Sequence, residues 1–103
     1  MAPIRRVVLD TLKPHDPPLT HYTQRIADLD SVGQVTATLV EIDREVQNIT
    51  LTVEGDSLDV QAIEDRVTDL GASVHSVDQV VAGEVPAWAE ASADSPVALT
   101  DRD

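Results

Sequence analysis

Leu19, Tyr22, Ile26 and Leu29 follow one another at steps of three, four and three residues, and Val60, Ile63, Val67 and Leu70 repeat those steps later in the chain. Each set falls on one face of a helix. The runs around these stripes alternate instead: residues 4–12 (IRRVVLDTL) form a β-branched first strand, Val35, Ala37 and Leu39 mark a second, and Ile49, Leu51 and Val53 a third at strict period two. Residues 72–81 make a fourth. The order is strand, helix, strand, strand, helix, strand, two similar halves that right-handed crossovers fold into a split βαβ sandwich with sheet order 4-1-3-2. Both helices then share one face of an antiparallel sheet.

Local signals place the boundaries. Asp16 followed by Pro17 and Pro18 predicts an N-cap with proline in the first turn, and the helix should end near Ser31 to Gly33. Asp43, Arg44 and Glu45 form the hairpin turn between strands two and three. Asp59 is set to cap the second helix, with Leu58 and Ile63 as a hydrophobic staple, and Gly71 is its expected left-handed stop. In the fourth strand Val74, Val77 and Val80 step by three, which a regular strand cannot put on one face, so a bulge is expected near Ser76. Residues 1–83 thus read as one domain. From 84 to 103 the mixture of Ala, Ser, Pro and acid lacks periodicity and predicts an acidic flexible tail in which Trp88 is the one large anchor.

Seven Lys plus Arg against 19 Asp plus Glu leave a formal charge of −12, and aromatic residues are only 2%. A phosphate backbone needs a basic track and unpaired bases need rings, so nucleic acid is not an expected partner. No apolar run is long enough to cross a bilayer, and without a signal peptide the expected location is the cytoplasm. Zero cysteines remove disulfides, thiolate metal sites and cysteine nucleophiles. Asp supplies 13 of the acids and Lys13 is the sole lysine, a skew that suits a salt-adapted, halophilic cytoplasm, where screening shortens the reach of self-repulsion.

Burial of Val7 and Leu9 against the helices turns Ile4, Val8 and Leu12 to the open face of the sheet, together with Val40, Ile42 and the threonines 36, 38, 50 and 52. An uncovered face of this kind marks an interaction site, and Ile4, Val8, Val40 and Ile42 are the expected interface residues of a homo-oligomer. The same phase puts Asp10 outward, and burial of Val74 puts His75 outward. With strands one and three running in the same direction, Asp10, Glu54 and His75 meet at one edge. Two carboxylates and an imidazole suit a hard or borderline divalent cation, calcium or magnesium, although an Asp-His hydrogen bond or an exposed charge cluster explains the same residues. No catalytic set emerges: the loop after strand one has no glycine to cradle phosphate, and Ser73, His75 and Asp78 are too generic a trio to indicate a nucleophile relay. His15 is expected to anchor its turn, and His21 to lie on a solvated helix face.

The segments Ile4 to Pro18 (IRRVVLDTLKPHDPP) and Val74 to Gly83 (VHSVDQVVAG) resemble the opening and closing signatures of a small archaeal family catalogued as domain of unknown function 211. The resemblance spans residues 3–83. It implies a ferredoxin-like fold, an archaeal cytoplasm and ring-shaped homo-oligomers, and it implies no reaction. The expected function is therefore a non-enzymatic, ring-forming assembly protein able to take a divalent cation or small ligand at subunit contacts. The alternative is a ligand-sensing regulatory module of ferredoxin-like type, whose assembly or stability would respond to a metabolite.

Overall fold

The computed structural model describes residues 1–84. The expected tail and Trp88 therefore lie outside the described residues, apart from Glu84. Six elements succeed one another: β1 (Ile4–Pro14), α1 (Leu19–Ala27), β2 (Gln34–Ile42), β3 (Val46–Glu54), α2 (Val60–Asp69) and β4 (Ser73–Ala82). The sheet has the order β2-β3-β1-β4, with every neighbouring pair antiparallel. This is the ferredoxin-like α+β sandwich, its sheet order the expected one.

Alternation fixes which face is buried. Val7 and Leu9 of β1 pair with Val53 and Leu51 of β3, and all four are closed to solvent. Tyr22 and Ile26 from α1 and Ile63 and Val67 from α2 complete the layer, which Leu58 and Ala72 close at its margins. Burying such side chains contributes about 1.5–3 kcal/mol each for the aliphatic ones, so the two helical stripes against one sheet face carry the fold.

The second helix starts and stops as its residues dictate. The Asp59 carboxylate accepts from the Ala62 amide at 3.1 Å, and Leu58 and Ile63 are both buried beside it. At the other end the Gly71 amide donates to the Thr68 carbonyl at 2.9 Å and the Ala72 amide to the Val67 carbonyl at 3.1 Å. That pair of bonds needs a left-handed residue, and Gly71 supplies it at φ +86°. The first helix departs from expectation. Asp16 does not cap it; the helix begins at Leu19 behind an extended Pro18, whose carbonyl takes the Tyr22 amide at 3.0 Å. A residue before proline is pushed out of the helical region, so Pro17 cannot join the first turn and the start moves past Pro18. The helix also stops early, at Ala27, and bonded turns through Leu29 and Val32 lead on to Gly33.

Three strands carry an extra residue. On β4, Val74, Val77 and Val80 stand opposite Thr11, Leu9 and Val7, so steps of three on one strand match steps of two on the other. His75 and Asp78 are the additional residues, one on either side of Ser76. On β1 the extra residue is Arg5, and on β2 it is Val40.

Asp59→Ala should destabilise the domain by about 1 kcal/mol, the usual worth of a side-chain cap, as read by urea unfolding. The same change at Asp16, which caps nothing, should cost less.

Candidate functional site

Opposite directions of β1 and β3 decide the fate of the expected cation site. Glu54 stands across from Arg6, and Asp10 across from Thr50. A hairpin reverses the chain once between β1 and β3, so the two strands cannot run in the same direction. Glu54 accordingly pairs with Arg6, its Oε2 accepting from Nε at 3.0 Å and lying 2.9 Å from Nη2. Arg6 also reaches the Gln79 side chain at 3.5 Å, which ties three strands together on the open face. Asp10 stands opposite Ser76, and His75 is the exposed bulge residue next to it. The Ser76 hydroxyl donates to Asp78 at 2.7 Å. The three expected ligands are therefore not brought together, and among the described residues no three His, Asp or Glu side chains are grouped to hold a metal.

The four expected interface residues also part company. The bulge at Arg5 turns Ile4 to the core, where it packs partly buried against the buried cluster. Val8 stays on the open face between Thr52 and Gln79, half-buried. The bulge at Val40 shifts the rest of its strand, so Ile42 stands opposite Gln47 on the side of the sheet that carries the helices. Exposed apolar surface collects instead at the two sheet edges. Leu39, Val40 and Ile42 on β2 are 41%, 61% and 59% exposed, and Val77 and Val80 on β4 are 50% and 53% exposed. Sequence reasoning misses Leu39, Val77 and Val80, because their inward phase suggests burial.

A second feature escapes sequence reasoning because its residue type argues against it. Lys13, in phase with Val7, Leu9 and Thr11, is wholly buried. Its ammonium donates to the Pro14 carbonyl at 2.9 Å, the Gln47 side chain at 3.2 Å and the His15 carbonyl at 3.4 Å, and lies 5.9 Å from the centre of the Tyr22 ring. His15 in turn bonds the Asp43 carbonyl at 3.0 Å, so it does anchor its turn, joining the loop after β1 to the hairpin tip. Burial lowers the Lys13 pKa, and the nearby Asp16 carboxylate pulls it back up. Stability from this group rises with pH between the lowered folded value and the unfolded value near 10.5, because the unfolded chain holds the proton longer. Three oxygen acceptors around a solvent-excluded ammonium make this a brace for the loop and not an accessible amine nucleophile.

Tyr22 lies beneath it with a buried hydroxyl that lacks a hydrogen-bond partner of good geometry. Burial pushes this phenol up, and the Thr11 hydroxyl pulls weakly the other way. The folded state thus favours the neutral phenol, whose contribution is complete below about pH 10 and is lost as pH climbs beyond it. Tyr22→Phe removes a polar atom without its partner, so the melting temperature at neutral pH should hold or rise. The variant should also lose less stability above about pH 10 than the parent, as measured by thermal melts across the alkaline range.

The model of the DUF211 family, described as uncharacterized ArCR, matches residues 5–88. The uncharacterized protein MJ0319 of Methanocaldococcus jannaschii is 43% identical over 84 residues, which cover 82% of this chain and 87% of that protein. Among the described residues no helix is long and apolar enough to cross a membrane. With most of its length matched by the family model and by an archaeal relative, the chain belongs to the DUF211 family.

Proposed function

We propose that the chain is a non-enzymatic assembly protein that associates with copies of itself into a closed ring in a salt-rich cytoplasm. The observation that supports this is the placement of exposed Leu39, Val40 and Ile42 on one sheet edge and of Val77 and Val80 on the other. An edge strand that presents aliphatic side chains beside unpaired backbone groups is a template for association unless something covers it. Sheet edges are commonly guarded by lysine, proline, an inward charge or a bulge, and β2 carries only the bulge at Val40 with Glu41 beside it, leaving Gln34 to Leu39 unguarded. A domain of about 80 folded residues is also only marginally buried, so association supplements its stability.

Charge sets the condition. A formal −12 on a small chain repels itself, and gathering several copies multiplies the repulsion. In molar salt the Debye length falls to about 3 Å, which leaves apolar contact to decide the outcome. Partners other than a second copy are not needed for this reading: the acidic balance disfavours nucleic acid and an anionic membrane surface alike.

Light scattering in molar potassium chloride should give a mass several times the 11.1 kDa of one chain. A monomer at high protein concentration would overturn the proposal. Thermal melts from low to molar salt should show a rising melting temperature, whereas a flat or falling trend would separate the protein from a salt-adapted setting.

A further inference from the structure

On the helix side of the sheet, a shallow groove of about 340 Å³ runs between α1 and the β2 edge, lined by Leu19, Thr20, Thr23, Gln24 and Ala37. Every lining residue is uncharged, on a chain with 19 acids. Ala37 is followed on the same face by exposed Leu39, so the groove opens directly onto the apolar β2 edge. At the far edge of the sheet, Val77 and Val80 stand opposite the core residues Leu9 and Val7, and so project on that same helix side. The only acid on β4 is Asp78, and the Ser76 hydroxyl holds its carboxylate. Ser76 is the partner of outward-facing Asp10, so Asp78 is drawn toward the open face and away from the two valines.

We propose that the Val77 and Val80 edge of one copy seats in the α1–β2 groove of the next, a head-to-tail joint that rests on the self-association proposed above. The two surfaces lie on opposite sheet edges and cannot meet within one chain. Both lie on the helix side, so copies placed side by side present them to each other without a change of face. Charge agrees with this pairing. Helix α1, with sequence LTHYTQRIA, holds Arg25 and no acid, while β4 brings only Asp78 and His75. Helix α2, with Glu64, Asp65 and Asp69, would by contrast set acid against acid in a joint with its own copy, and like charges facing each other disfavour a joint. Contact between two unlike patches is heterologous, and it yields a ring if the rotation closes and a filament if it does not.

Two double variants test the joint, both at exposed positions so that folding, checked by circular dichroism, is preserved. Thr20→Glu with Gln24→Glu spoils the groove and leaves the β4 edge intact; Val77→Asp with Val80→Asp does the reverse. Sedimentation velocity in molar potassium chloride should show each variant as a monomer. Mixed at equal concentration they should form a heterodimer and nothing larger, since each supplies the one half the other lacks. Retention of the parental assembly by either variant, or a mixture that stays monomeric while the parent assembles, would overturn the joint and leave self-association standing. A monomeric parent would overturn both.

Discussion

Everything in this fold hangs on the phase of β1, one of the two central strands. β1 has a hydrogen-bonded neighbour on each side, and once Val7 and Leu9 face the helices every partner is assigned a face. Val53 and Leu51 turn inward on one side, Val80 and Val77 on the other. A one-residue slip would bury Arg6, Val8 and Asp10 and expose the core set, so burial of two aliphatic side chains specifies the register of three strands. The cost of that phase appears further along the strand, where it carries Lys13 inward. The charge is tolerated because the ammonium finds two backbone carbonyls and the Gln47 side chain at the point where the sheet ends. A buried charge with its hydrogen bonds made is a brace, whereas one without them would unfold the strand end.

The bulges perform a different task. Val74, Val77 and Val80 are spaced for a helix yet lie along a strand, and two additional residues reconcile the spacing with the ladder. They also interrupt the β4 edge twice, which blunts it as a template for further strand pairing while leaving its apolar side chains on offer. By contrast β2 pairs without interruption from Gln34 to Leu39 and is disturbed only at Val40. The two edges are therefore unlike each other, one regular and fronted by a groove, the other kinked and ridged with valine.

Much of this is legible from local chemistry. The two stripes of identical spacing, the Asp59 cap, the Gly71 stop and the need for a bulge in β4 all depend on residues within a few positions of each other, where sterics and hydrogen bonding act without help from the rest of the chain. The failures are non-local or competitive. Asp16 and Pro17 each favour a helix start, but the second proline overrides both. Bringing Glu54 to Asp10 requires β1 and β3 to be co-directional, although one crossover and one hairpin between them require opposite directions. Lys13 is visible by phase, two residues after Thr11 and four after Leu9, and escapes notice only when residue type is weighed above position. Ile4 and Ile42 change sides because single extra residues at Arg5 and Val40 reset the alternation, and nothing in a short stretch of sequence distinguishes such residues from their neighbours.

Why the edges are apolar at all comes from the unequal reach of the elements. Helix α1 has nine residues and spans about 14 Å at its rise per residue, while the nine residues of β2 extend about 30 Å. A short helix can therefore roof only part of the strand beneath it. Val35 and Ala37 still pack against the core, Ala37 beside α1, but Leu39 and Ile42 continue past the shelter on the same side of the sheet. At the opposite edge, Val74 still packs against the core, whereas Val77 and Val80 run beyond cover. If solubility alone governed these positions, threonine would serve, as it does at 36, 38, 50 and 52 on the uncovered face. Aliphatic side chains stand instead at the unsheltered helix-side positions, where a second domain of the same shape could supply the missing roof. Replacing one edge's residues by threonine would keep the strand and, under the self-association proposed above, remove the apolar contact that draws a neighbour.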